Sequence, residues 1–163
     1  MSSLIVKEHL MRSIRRKDRG TTSEETIQIL DNAEYGVLST IGKDGQPYGV
    51  PLSYVYKNDS IYFHSALSGH KIDNIEYNAK VSFCVVGSTK VLPGKFSTKY
   101  ESAVVFGVAT EVAGAERYSA LTWLLEKYCS DFMEEGKQYI ARKDKATRVF
   151  RIEIRHISGK ARR

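Results

Sequence analysis

Residues 61–75 combine a strand-like run, a short polar loop and a basic helix start, and these residue types together could hold an anion. Ser68 and Gly69 form the loop, and His70 and Lys71 open a helix-like segment. Backbone N–H groups at a helix N-terminus attract phosphate, and Lys71 would add a full positive charge. An ordinary strand–turn–helix with a solvated histidine and lysine would show the same pattern, so both interpretations stay open on these residues alone.

Neighbouring side chains favour phosphate as the anion. Ser65 and Ser68 could donate hydroxyl hydrogen bonds, and Asn74, one turn beyond His70, could brace the pocket. Aromatic side chains on two adjacent strand-like runs could sandwich a planar ring. They are Tyr54, Tyr56, Tyr62 and Phe63. Because successive strand residues point to opposite faces, about half of these side chains must instead pack in the core or on the outer surface.

The sequence gives less support for a metal site, a nucleophilic active site or a Rossmann-type dinucleotide site. His64 and His70 lie six residues apart with Asp73 nearby, a spacing that is not typical of a metal site and that lacks a cysteine ligand. A Gly-x-Ser-x-Gly nucleophile motif is absent, and Cys84 lies inside a strand-like run where a thiol would be buried and unreactive. The sequence also lacks Gly-x-Gly-x-x-Gly after a strand, which excludes a Rossmann-type dinucleotide site. We therefore predict no metal.

Length and composition predict one globular domain. The chain has 163 residues, of which 42% are hydrophobic and 27% charged. It contains no apolar run of about 20 residues, and charge interrupts the N-terminus too early for a secretory leader. A cytoplasmic protein is expected. Cys84 and Cys129 are far apart and predict buried, reduced thiols rather than a disulfide framework.

The formal net charge of +6 comes mainly from the two ends of the chain. Basic residues cluster within 12–19 and again within 160–163, so we predict a basic lead-in over 1–20 and a single domain over 21–163. Basic ends can bind nucleic acid or a membrane surface. Aromatic residues that would stack on bases do not interleave the N-terminal cluster, which favours solvated tails with neither partner.

The hydrophobic periodicity predicts a mainly β fold with added helices. The predicted strands are 36–41, 48–56, 61–66, 80–86, 100–112 and 147–157, and the predicted helices are 22–35, 69–78, 117–128 and 131–141. Pro51 cannot donate to a β ladder, so its strand must lie at an edge or be bulged. Six antiparallel strands in hairpin order, without regular strand–helix alternation, indicate a β-barrel.

Five motifs follow one another in the order found in a known family. They occupy residues 35–40, 44–54, 61–66, 69–75 and 80–86. Together they resemble the 5-nitroimidazole-resistance (Nim) proteins, which belong to the pyridoxamine 5'-phosphate oxidase-like flavin-binding split barrels. The basic segment 11–19 resembles the start of that family, so the resemblance covers nearly the whole chain. It implies a six-stranded antiparallel split β-barrel that forms a homodimer and binds FMN at the subunit interface.

The resemblance also assigns cofactor-binding positions. By position, the isoalloxazine ring would pass Val50, Pro51, Leu52 and Ser53, and the ring and ribityl chain would be lined by Phe63, His64, Ser65 and Ala66. His70, Lys71 and the loop amides would meet the phosphate, with Asn74 as the brace. Tyr100, Glu101 and Ser102 would reach over from the partner subunit. His70 would also take a catalytic role beside the flavin.

The function implied is an FMN-dependent oxidoreductase. A reduced pyridine nucleotide or another donor would supply two electrons for a nitroimidazole-type or similar acceptor. The C-terminal residues 152–163 lack the Arg-Leu substrate motif of true pyridoxamine 5'-phosphate oxidases, so vitamin B6 oxidation is not expected. Two alternatives remain: a non-catalytic flavin-binding or storage protein, and a split barrel that uses another cofactor such as a deazaflavin or haem.

Overall fold

A computed structural model describes residues 11–163, which form seven strands and four α-helices. The strands are β1 Gly36–Ile41, β2 Pro47–Leu52, β3 Val55–Lys57, β4 Ser60–Ser65, β5 Lys80–Leu92, β6 Ser97–Glu111 and β7 Arg148–Arg162. The helices are α1 Ser23–Asn32, α2 His70–Tyr77, α3 Gly114–Tyr128 and α4 Met133–Lys143. In this part of the chain, no helix combines the length and hydropathy that a membrane span requires.

All seven strands belong to one antiparallel sheet with the order β2-β1-β5-β6-β7-β4-β3. The two edge strands, β2 and β3, are joined by only Ser53 and Tyr54. So short a connection requires the sheet to curl until its two edges approach each other. The mainly β, split-barrel prediction is therefore confirmed in its coarse form, although the sheet is not closed.

Two details of the predicted fold were wrong. The strand predicted over 48–56 is two strands, which raises the count from six to seven. Strand order is not a simple series of hairpins either, because β1 pairs with β5 and β4 pairs with β7. Pro51 does lie on an edge strand, as expected.

Long-range hydrogen bonds explain the break between β2 and β3. Tyr54 is fully buried, and its hydroxyl donates to the carbonyl of Leu30 in α1. Its backbone N–H donates to the hydroxyl of Tyr128 at 3.0 Å, and that hydroxyl in turn lies 2.6 Å from the carbonyl of Glu34. These contacts satisfy the hydrogen-bonding groups of Tyr54 outside any β ladder, so β2 ends before this residue.

Helices α1 and α2 cover one face of the sheet, and α3 covers a second region. Buried side chains of α1 and α2, including Leu30 and Ile72, pack into the main core with Phe83 and Phe150 of the strands. A smaller core lies beneath α3 and contains Leu121, among others. At the start of α1, the Thr22 and Glu25 side chains exchange hydrogen bonds with each other's backbone N–H groups, which confirms the helix start predicted at Thr22.

The C-terminal end departs from the prediction of solvated tails, whereas Arg12, Arg15 and Lys17 of the N-terminal basic cluster are exposed. Residues 1–10 of the predicted lead-in lie outside the described residues, but Gly20 forms a β-bridge with Lys160 and the N–H of Thr21 donates to Gly159 at 3.2 Å. The C-terminal basic residues as far as Arg162 belong to β7.

The prediction of two buried cysteines was also wrong. Both thiols are free, as expected, but Cys84 is only half-buried and Cys129 is exposed. Cys129 follows the last residue of α3, in the short connection to α4.

Candidate functional site

The open N-terminus of α2 lies directly after the end of β4. Gly69 is the N-cap residue, with φ of 142°, a conformation that favours glycine, and no side chain caps the helix. The first N–H groups of a helix have no partners within the helix. An added Cβ at Gly69 would meet nothing within 4 Å, so a ligand can approach the backbone there. This geometry suits an anion.

Ser65, the last residue of β4, places a hydroxyl without a protein partner close to this helix start. The residue is 5% exposed, and its Oγ has no hydrogen-bond partner among the described residues. A buried hydroxyl without a partner costs free energy, which a bound ligand could recover. Together with the half-buried Lys71, Ser65 and the first N–H groups of α2 define what we call the anion shelf.

Arg148 anchors the loop of the anion shelf, a role that the sequence did not indicate. Its Nη1 donates to the carbonyl of Leu67 at 3.3 Å and to Glu76 of α2 at 2.9 Å. Its Nη2 and Nε bind Glu111 of β6. Because the β-ladder register places Arg148 opposite Ser65, one side chain joins β7, the loop and α2.

Asn74 holds α2 against the first hairpin. It is buried, and its amide nitrogen donates to the hydroxyl of Thr40 in β1 at 3.0 Å. Its amide oxygen would lie 2.9 Å from a Cβ at Gly42, so the turn after β1 needs glycine there. Asn74 therefore sets the position of the helix and points away from solvent.

His70 reaches strand β2 through a stacked aromatic contact. Its imidazole lies 4.0 Å from the ring of Tyr48, measured between centroids, with an interplanar angle of 25°. His70 is exposed and Tyr48 is half-buried. The stack brings the first residue of α2 beside β2, the strand that also carries Val50, Pro51 and Leu52.

In the segments predicted to bind the flavin ring, some side chains pack against the core and others are exposed to solvent. Val50 and Leu52 are half-buried against the main core, whereas Pro51 and Ser53 are exposed. In β4 and just beyond it, His64 and Ala66 are exposed. Phe63 is fully buried and stacks on Phe150 at 5.4 Å, so its side chain packs in the core.

The predicted contributors from β6 do not join the anion shelf within one chain, because β7 lies between β6 and β4. Arg19 and Lys160 lie beside Tyr100 and hold the pKa of its hydroxyl below the ordinary value. Glu101 accepts from the N–H of Ser88 at 3.3 Å, and Ser102 is half-buried.

His64 is electrostatically coupled to the anion shelf. His64 is exposed as a residue, but neighbouring atoms partly desolvate its imidazole, and Lys71 adds a nearby positive charge; both effects lower the pKa of His64. Among residues 11–163, no group of three or more His, Cys, Asp and Glu side chains forms a metal-binding cluster.

Comparison with known proteins identifies the family. The family model described as pyridoxamine 5'-phosphate oxidase matches residues 22–161, and the chain belongs to this family. The resemblance found in the sequence is thereby confirmed. No curated protein matches the chain.

Solved structures share the fold. A candidate 5-nitroimidazole antibiotic resistance protein from Bacteroides thetaiotaomicron is 23% identical, with a TM-score of 0.71 over 86% of this chain and 84% of its own. A FAD-binding protein from Mesorhizobium loti is 29% identical, with a TM-score of 0.65 over 89% of this chain and 98% of its own. The heme storage protein HutZ from Vibrio cholerae is 14% identical, with a TM-score of 0.63 over 83% of this chain and 92% of its own.

Proposed function

We propose that the protein is an FMN-dependent oxidoreductase that reduces nitroimidazole-type or similar acceptors. The observation that carries this proposal is the buried hydroxyl of Ser65, which has no partner among the described residues and lies four residues before Gly69, the N-cap of α2, whose first turn carries the cation of Lys71. A phosphate monoester offers several acceptor oxygens and negative charge, which match these donors.

Four exposed residues of the predicted segments would meet the rest of the cofactor. The exposed residues Pro51, Ser53, His64 and Ala66 offer a surface for the ring and ribityl chain. When bound, FMN supplies two-electron chemistry between a reduced pyridine nucleotide and the acceptor. His70, held by Tyr48, would orient the acceptor or donate a proton at an imidazole nitrogen.

The proposed assembly is a homodimer with flavin sites at the subunit interface. Tyr100, Glu101 and Ser102 lie too far round the sheet to reach the anion shelf of their own chain, since β7 separates them from β4. A partner subunit would supply them. The FAD-binding and nitroimidazole-resistance descriptions of two structural neighbours support the choice of cofactor and acceptor.

Purified protein tests the proposal. We expect the protein to bind FMN, to bleach anaerobically with NADH or NADPH, and to recover its colour when a nitroimidazole is added. Bleaching without reoxidation by the nitroimidazole would refute the proposed acceptor. Flavin that binds but is never reduced would indicate a carrier, and a protein that takes up haem or a deazaflavin while ignoring FMN would refute the cofactor.

A further inference from the structure

An apolar cavity of about 210 Å³ lies between the helical layer and the strand ends. Its apolar wall is formed by side chains of α3 and α4, namely Leu121, Leu124, Leu125 and Ile140. Ser53 and His64, two of the residues proposed to pass along the flavin, form part of the opposite wall. The cavity therefore adjoins the proposed cofactor surface.

Hydrogen bonds fix the walls of this cavity. The Tyr128 hydroxyl accepts from the N–H of Tyr54, which ties the end of α3 to the bend that follows Ser53. Arg117 forms an ion pair with Asp144 and donates to the carbonyl of Thr147 at 3.0 Å, which ties α3 to the segment after α4. The space is therefore bounded by elements held in place on both sides.

Its size limits the ligand. An apolar cavity of about 150 Å³ holds one benzene ring, and sites for drug-sized ligands start near 300 Å³. A volume of about 210 Å³ suits a single ring with one or two small substituents. The three fused rings of a flavin exceed it, so the flavin would lie beside this space, which shares Ser53 and His64 with the proposed cofactor surface.

Polar groups at the boundary of the cavity indicate which substituent a bound aromatic ring would carry. Ser53 and His64 can donate hydrogen bonds, and the ammonium group of Lys143 adds positive charge. Arg117 is already committed to Asp144, whereas no carboxylate in the described part of the chain pairs with Lys143. These groups suit a planar pair of electron-rich oxygens, as in a nitro or carboxylate group.

We infer that this cavity binds a single-ring aromatic molecule that carries a nitro or carboxylate group. The inference deepens the proposed function and rests on it for the role of the nitro-bearing molecule as the electron acceptor; a ring that carries only a carboxylate would bind without being reduced. The apolar wall would bury the ring, and Lys143, Ser53 and His64 would face its oxygens.

Calorimetric titration of FMN-free protein with 4-nitrobenzoate tests the binding site without any flavin chemistry. We expect saturable binding that Ile140→Trp abolishes by filling the cavity and that Lys143→Gln weakens at least fivefold. Lys145→Gln, an exposed lysine that does not line the cavity, should bind 4-nitrobenzoate as the unaltered protein does. Circular dichroism checks that each variant is folded.

Absence of saturable binding, or equal affinity in Lys143→Gln and Lys145→Gln, would overturn the inference. Since Lys143 is exposed, that comparison remains decisive even if Ile140→Trp fails to fold. Separate titrations with FMN distinguish the two proposals. Protein that binds 4-nitrobenzoate but not FMN would refute the proposed function alone, and the opposite result would refute the cavity ligand alone.

Discussion

The imidazole of His70 stacks on the ring of Tyr48 at a centroid distance of 4.0 Å, and this contact joins the start of α2 to strand β2. It links the helix of the anion shelf to the strand that also carries Pro51. His70 is otherwise exposed, so the stack restricts the orientation of its ring.

Replacing Tyr48 should therefore impair His70. Aromatic pairs contribute about 0.5–1.5 kcal/mol beyond area burial. We expect Tyr48→Leu to slow reoxidation of the reduced protein by a nitroimidazole roughly two- to tenfold, and Tyr48→Phe to retain the rate. Stopped-flow absorbance under anaerobic conditions measures this rate. Equal rates in both variants would show that the stack does not position His70.

Asn74 and Thr40 should behave as a coupled pair. Asn74→Ala removes a buried hydrogen bond and should lower the free energy of unfolding by about 1–3 kcal/mol. Thr40→Val removes the other partner. Because both changes break the same bond, the double variant should lose less than the sum of the single losses, as measured by urea denaturation. Strict additivity would contradict this pairing.

Arg148 should support cofactor affinity from outside the site. Arg148→Met frees the carbonyl of Leu67 and leaves Glu76 and Glu111 without their common partner. We expect weaker FMN binding, seen as an increased Kd in flavin fluorescence titrations. Arg151→Met is the matched control, because Arg151 lies on the same strand but pairs with Glu116. If both variants bind FMN equally, Arg148 does not position the loop.

His64 should make the stability of the fold depend on pH. Its lowered pKa means that the unfolded chain binds more protons near pH 6.5, the ordinary value for histidine. Its contribution to stability is therefore present above that pH and is lost as the pH falls toward the folded pKa. Urea denaturation at several pH values should show that acid lowers the free energy of unfolding less in His64→Gln than in the unaltered protein. The same acid loss in both would contradict this assignment.

A bound phosphate should also change the pKa of His64. Negative charge at Lys71 would offset the cation that disfavours imidazolium, so inorganic phosphate, which has no ring to desolvate His64, should raise this pKa. NMR titration of the histidine ring protons, with and without inorganic phosphate, measures the shift. A pKa that saturating phosphate leaves unchanged or lowers would argue against phosphate near Lys71.

Local sequence patterns predicted much of the fold. The strand predicted over 36–41 matches β1, and helix α2 was predicted within one residue at each end, because alternation and helical spacing are local signals. The break at Tyr54 could not be predicted, since it depends on Tyr128, 74 residues away. The order of the strands depends in the same way on pairings between distant segments.

The candidate site likewise contains residues that local sequence indicates and residues that depend on long-range contacts. Ser65, His70 and Lys71 stand close together in the sequence, so their types and spacing allowed an anion site to be proposed beside an ordinary strand–turn–helix. Arg148 acts through Glu76 and Glu111, which lie 72 and 37 residues away. In the sequence it is one arginine of an alternating strand, with no signal that separates it from Arg151 or Arg155.

The most direct test of the phosphate assignment is the FMN affinity of Lys71→Ala, measured by calorimetry beside Lys80→Ala, an exposed lysine at the start of β5. Loss of a charge-assisted hydrogen bond costs about 1.5–3 kcal/mol, so Kd should rise roughly tenfold to a hundredfold or more in Lys71→Ala alone. The same Kd in Lys71→Ala and the unaltered protein would contradict the anion shelf as the phosphate site.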